Sequence, residues 1–242
     1  MDVTFTLDHW TEEDYVELLS LFFEWKEDKL CAFTRKLVPE VTGILGIRTP
    51  LLRMVAKQIV KGNYEEFLAL AKSRYHEEIL LQGLVIGNCP AAFDRLLELV
   101  QGYVPLISNW ASCDTFATSL KQFGRHRAEG VPLVRQYVAS NNPWETRFGL
   151  ILLLSHYLCD AYIDEVLTVS RQIHSDHYYV KMGNAWLLSV AYVKYPDKTL
   201  PLLTGGQLDP WTNQKTLQKI LESNRVDAPT KERIRQLKEE IK

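Results

Sequence analysis

The chain has 242 residues, 46% hydrophobic and 24% charged, with a formal net charge of −2 and an isoelectric point near 6.3. Such a composition excludes long disorder and leaves ample apolar material for a core. The near-neutral balance excludes a globally basic nucleic-acid binder.

Charge is unevenly spread, with 12 acidic and 8 basic residues up to Leu70 but 8 acidic and 12 basic from Arg171 onward. Any polyanion-binding surface is therefore expected toward the middle and carboxy-terminal end. Cys31, Cys89, Cys113 and Cys159 form no CxxC pair and have no nearby histidine at ligand spacing, so they read as reduced, mostly buried thiols. Residues 1–8 lack a basic and then apolar leader pattern, and no window approaches ~18 consecutive apolar residues. Export and membrane insertion are not expected, and a cytoplasmic location is.

Helix signals follow one another along the chain, and strand signals are nearly absent. Thr11 with Asp14 at N3 predicts a helix start, followed by a stripe of Tyr15, Leu18, Leu19, Phe22 and Phe23. Thr49 as cap and Pro50 at N1 open the next marked helix, with Leu51, Leu52, Val55 and Ile59 as its stripe and Gly62 as its stop. Asn63 then caps a helix carrying Glu66 at N3 and Phe67, Leu68 and Leu70. Further helices are expected near 75–86, 90–101, 108–123, 128–139, 144–158, 160–172, 176–194, 212–223 and 229–241. Gly87, Gly102, Gly124 and Gly130 are read as punctuation, Pro90, Pro143 and Pro229 as starts, and Pro196 and Pro210 as lying between elements. The fold expected is all-α: a curved α-solenoid of HEAT-like helical hairpin repeats forming one domain over 1–242.

The repeat also carries the functional signal. Trp110 and Arg147 are 37 residues apart, and Arg147 and Trp186 are 39 apart, which is near the period of two-helix solenoids whose equivalent positions line one concave face. Trp110 and Asp114 lie four apart on one predicted helix, so a ring and a carboxylate share a face where they can stabilise a cation. The same spacing suits an interfacial tryptophan whose neighbouring Asp114 is satisfied by an adjacent helix. Arg147 opens an otherwise apolar helix, where a guanidinium needs a partner. A phosphate oxygen would serve, and so would an ion pair between repeats, Asp114 itself being a candidate. Trp186 suits core packing, or a ring held edge-on to a cavity by the gap left at Gly183, with Lys181 adding a basic group nearby. Arg125, His126 and Arg127 form a small basic cluster that reads either as a phosphate contact or as a solvated loop. No HExxH pattern or catalytic cysteine–histidine signature is present, and residues 44–50 lack the glycine spacing and lysine of a phosphate loop, so no metal, nucleotide or redox cofactor is indicated.

These residues in this register resemble the AlkD-like DNA alkylation repair proteins, the HEAT-like repeat alkylpurine DNA glycosylases. The likeness runs from about Ile44 to Ile220. It rests on the Leu45-Gly46-Ile47-Arg48-Thr49-Pro50 segment, the Trp110/Asp114 pair, Arg147, and the aromatic-rich helix with Trp186. The resemblance implies hydrolysis of the N-glycosidic bond of a cationic N3- or N7-alkylated purine in double-stranded DNA, without extrusion of the base into a deep pocket. Catalysis would fall to Asp114, Trp110, Trp186 and Arg147. Asp114 would oppose the charge of an oxocarbenium-like sugar and orient water, while the two tryptophans pack against the deoxyribose and Arg147 holds a flanking phosphate. Arg147, Lys181, Arg125 and Arg127 would contact DNA, and a monomer without metal is expected.

The pattern departs from the family at two places: Ala111 stands where an acidic residue often follows the tryptophan, and Leu37 where a tyrosine is expected. A non-excising DNA-binding paralogue, acting on damaged or branched DNA, and a HEAT-type protein scaffold are the alternative readings.

Overall fold

A computed structural model describes residues 4–240, and among them every regular element is helical. The chain divides into two compact units, residues 1–122 and 123–242. The first holds α1 (Glu12–Trp25), α2 (Asp28–Leu37), α3 (Thr49–Ile59), α4 (Tyr64–Leu70), α5 (His76–Asn88), α6 (Phe93–Tyr103) and α7 (Trp110–Ser119). The second holds α8 (Arg127–Val138), α9 (Pro143–Leu152), α10 (Ile163–Gln172), α11 (Tyr178–Lys194), α12 (Pro196–Thr204), α13 (Pro210–Glu222) and α14 (Ala228–Glu240).

Local chemistry accounts for most of these boundaries. Thr11 and Asp14 form the expected reciprocal box: the Asp14 N–H donates to Thr11 Oγ1 at 3.2 Å, and the Thr11 N–H donates to Asp14 Oδ2 at 2.8 Å. Both the Thr11 hydroxyl and its amide hold the Asp14 carboxyl below its ordinary range. On α1 the buried stripe is Tyr15, Leu18 and Phe22, whereas Phe23 points outward and meets Tyr75 edge-on at 5.4 Å. Asn63 caps α4 through the Glu66 N–H at 3.1 Å. The cap of α3 is Arg48 rather than Thr49, one residue earlier than the sequence suggests.

Several expectations need correction. Gly130 lies in the first turn of α8 and stops nothing, whereas Gly87 and Gly102 are the last residues but one of α5 and α6, each helix running one residue past its glycine. Pro196 and Pro210 do not fall between elements but occupy the first positions of α12 and α13, where the missing N–H costs no helical hydrogen bond. The helix expected over 144–158 ends as α-helix at Leu152 and continues as one π turn, Leu153–Tyr157.

Alternate helices form the interior of each unit. In the first, α3 packs on α5 and α5 on α7; in the second, α9 packs on α11 and α11 on α13, with α8, α10, α12 and α14 as outer partners. The inner members are the more apolar: α9 buries Phe148, Leu150, Ile151 and Leu152, and α11 buries Val180, Ala185, Leu187, Leu188 and Ala191. Each fully buried Leu, Ile or Phe contributes roughly 1.5–3 kcal/mol, so this face outweighs intrinsic propensity in fixing the helices. All four cysteines are free thiols, with Cys89 and Cys113 buried and the other two half-buried. Among the described residues no helix is long and apolar enough to cross a membrane.

Candidate functional site

The inner helices carry the residues singled out by spacing: Trp110 and Asp114 on α7, Arg147 on α9, and Lys181 and Trp186 on α11. In the first unit, the Asn109 side chain caps α7 by accepting the Ser112 N–H at 3.0 Å, which sets Trp110 at the first helical position. The indole Nε1–H of Trp110 donates to the carbonyl of Leu37 at 3.0 Å, tying α7 to the end of α2. Trp110 and Asp114, half-buried, lie one turn apart on that helix.

A cleft of about 340 Å3 lies against Trp110, walled by Leu37 and Val38 at the end of α2, Ile47–Pro50, His76 and Glu77 on α5, and Thr115 on α7. The Glu77 carboxylate is only 2% exposed. It accepts the backbone N–H groups of Leu45, Gly46 and Ile47 at 3.0, 2.7 and 3.3 Å, which fixes the loop along one side of the cleft. His76 is 3% exposed and its Nδ1 has no hydrogen-bond partner.

Burial pushes the His76 imidazole below its ordinary 6.5, against the opposing pull of the Glu77 carboxylate. The unfolded chain therefore binds this proton more readily than the folded one. The contribution of a neutral His76 is complete above about pH 6.5 and is lost as pH falls through the lowered folded value. Urea denaturation of the wild type should show stability falling as pH drops below about 6.5, with a shallower fall in His76→Gln. Parallel profiles would assign the slope to other groups.

In the second unit, Arg147 is 5% exposed, a placement tolerable for a guanidinium only with partners. Its Nη1–H donates to the Tyr179 carbonyl at 2.6 Å, and its Cζ lies 5.9 Å from the Tyr179 ring centroid. The gap expected at Gly183 is taken up by this side chain, since a Cβ there would stand 3.4 Å from Arg147 Nη1 and 3.6 Å from its Cγ. Arg147 thus lies in van der Waals range of Gly183 on α11, and Trp186, three residues on, is half-buried. Lys181 Nζ pairs with Asp209 Oδ1 at 3.2 Å and stands 6.0 Å from the Trp211 ring centroid. Burial raises the Asp209 carboxyl, but the Thr212 amide and hydroxyl together with Lys181 outweigh it and leave the group below its ordinary range.

The basic cluster splits. Arg125 is exposed, whereas Arg127 is half-buried and its Nε–H donates to the His156 carbonyl at 2.6 Å, joining the start of α8 to the π turn.

Sequence reasoning passed over a group of aromatic and basic residues around Arg147 and Lys181. Trp144 lies 5.2 Å from Tyr179 by ring centroids, Tyr179 lies 5.2 Å from Tyr178, and Tyr178 lies 5.7 Å from Trp211. Lys215 Nζ is 5.7 Å from the Trp211 centroid. A signal for two of them was present: Asn142-Pro143-Trp144 and Asp209-Pro210-Trp211 repeat the same cap–proline–tryptophan order, 67 residues apart, at the starts of α9 and α13.

Among the described residues no group of three or more His, Cys, Asp and Glu side chains could hold a metal ion. Among curated proteins, none matches this chain. The model of the DNA alkylation repair enzyme family matches residues 23–206, most of the sequence, so the chain belongs to the DNA alkylation repair enzyme family and has its role in the repair of alkylated DNA.

Proposed function

We propose that the protein is a DNA glycosylase that releases cationic N3- and N7-alkylated purines from duplex DNA. The observation that carries the reading is the match of the chain to the alkylation repair family, together with Trp110 and Asp114 one turn apart at the start of an inner helix. In this reading residues 1–242 form a single domain, a curved α-solenoid of HEAT-like repeats.

A formally positive purine is already a good leaving group, so no acid is needed to protonate it. The barrier lies in the cationic character that the deoxyribose acquires as the bond to the base lengthens. A fixed carboxylate at Asp114 opposes that charge and orients the attacking water, and it acts most strongly in the transition state. The rings of Trp110 and Trp186 cover the sugar and exclude bulk water, and their π faces favour a developing cation. Trp110 suits this role because its Nε1–H is already engaged with the Leu37 carbonyl, which holds the ring orientation before substrate arrives. Arg147, supported by the Tyr179 carbonyl, keeps a flanking phosphate in register. Lys181, Arg125 and Arg127 contribute further phosphate contacts.

The test is direct. Purified protein incubated with duplex DNA containing N7-methylguanine or N3-methyladenine should release the free base, measured by chromatography, and should leave uracil in place. Binding to the same duplexes without release would favour a non-excising DNA-binding paralogue, a reading to which Leu37 and Ala111 already incline. Absence of both would favour a protein scaffold.

A further inference from the structure

We infer that the aromatic row Trp144–Tyr179–Tyr178–Trp211 is a platform for unpaired nucleotides, stacking the bases of a single-stranded DNA segment beside the duplex and holding its phosphates through Lys181 and Lys215. The inference rests on the protein binding DNA, and it adds a ligand class and a surface to that reading.

The row is built at the starts of three inner helices. Trp144 is the second residue of α9, Tyr178 and Tyr179 are the first two of α11, and Trp211 is the second of α13. Consecutive centroids are 5.2, 5.2 and 5.7 Å apart, so the rings form one connected strip across the three helices. Trp144 and Tyr179 are half-buried, but Tyr178 is 55% and Trp211 37% exposed. Large rings that pack on one another and still face water offer a π surface to a ligand.

Charge identifies the ligand. Lys181 and Lys215 stand 6.0 and 5.7 Å from the Trp211 centroid. Burial pushes the Lys219 ammonium down, Glu222 opposes this, and Lys215 and Arg147 push it down further, so positive groups here repel one another in the absence of a ligand. Asp209 neutralises one of them through Lys181. The helix starts beneath the row add the positive ends of three dipoles. An apolar protein partner would have to strip water from these ammonium groups without compensation, whereas a polyanion compensates them.

The rings then decide between kinds of polyanion. In a duplex the base faces are already stacked on one another, and only the backbone and groove edges remain available. Exposed rings with two lysines gathered at Trp211 match unpaired bases, whose faces are open and whose phosphates lie beside them. On binding, a base would take the ring face that a lysine now covers, and the ammonium would move to the adjoining phosphate.

Fluorescence anisotropy would compare a blunt duplex with the same duplex carrying a short thymidine tail, using wild type, Tyr178→Ala, Trp211→Ala and Trp211→Phe, each checked for folding by circular dichroism. The wild type should prefer the tailed DNA by roughly 5- to 150-fold, the range for one stacked base. Each alanine variant should lose most of that preference, and Trp211→Phe, which keeps a ring with little risk to folding, should retain much of it. Equal wild-type affinity for the two DNAs overturns the platform while leaving duplex binding intact, and so does a preference that survives both alanine variants. Failure of the wild type to bind either DNA overturns the platform together with the DNA-binding reading beneath it.

Discussion

Asp114→Asn is expected to lower the release of N3- and N7-alkylated purines by ~10² or more, the scale for removing one preorganised electrostatic group from a site, while folding and most DNA affinity persist. The substitution replaces one oxygen by an amide nitrogen of nearly the same size, so packing on α7 changes little. The hydrogen bond at 2.7 Å between the Thr118 hydroxyl and the Asp114 backbone carbonyl does not depend on the side chain. What disappears is the negative charge, which the proposed mechanism uses in the transition state more than in the ground state. The loss should therefore fall on the single-turnover rate with little change in affinity for the substrate duplex. Wild-type and variant rates at saturating enzyme on N7-methylguanine and N3-methyladenine duplexes would measure it. Equal rates would remove Asp114 from the chemistry, and a parallel loss of binding would recast it as a structural residue.

Some of this molecule is legible in its sequence because the physics is local. Thr11 with Asp14 and Asn63 with Glu66 are caps that form within one turn, so the starts of α1 and α4 can be read from four residues. The helical placement of Trp110, Arg147 and Trp186 is also readable, and they fall on α7, α9 and α11. Other features depend on partners remote in sequence. Leu30, Phe33 and Leu37 lie at helical spacing on α2, yet no residue of that helix is buried, so its apolar face is short and weakly packed. Gly87, next to the end of α5, and Gly130, in the first turn of α8, resemble stops, but they sit where Ser119 and the rings of Phe123 and Tyr157 come close, a contact no local pattern encodes. The gap at Gly183 was visible, but its occupant, Arg147, lies 36 residues earlier and could not be assigned from spacing. Trp144 and Trp211 were hidden in another way. Each follows a proline at a helix start, and the helix-start signal accounts for the triplet without asking what the ring does.

The Leu45–Arg48 loop supplies the largest expected effect on stability. Glu77→Ala removes the acceptor of three backbone N–H groups, those of Leu45, Gly46 and Ile47. Leu45 and Ile47 are buried, and the Gly46 backbone runs so close to α2 that a Cβ there would stand 2.5 Å from the Cys31 nitrogen. The loop therefore has little room to turn its amides toward water. A buried donor left without an acceptor costs about 1–3 kcal/mol, so the loss should be about 3 kcal/mol or more. For a chain of this length that corresponds to a fall of roughly 6–12 °C in the thermal midpoint. Glu77→Gln keeps an acceptor for Gly46 and Ile47 but sets an amide group against the Leu45 N–H, and should fall less. Removing the exposed Glu65 carboxylate, which pairs with Arg95 at 2.6 Å, should leave the midpoint nearly unchanged because solvent screens that pair. Calorimetry on the three variants separates these outcomes, and a Glu77→Ala protein that melts like wild type would show that the loop does not depend on the carboxylate. Because this loop and Trp110 border the same cleft, the Glu77 variants should also release base more slowly, by displacing the Trp110 ring and with Asp114 unaltered.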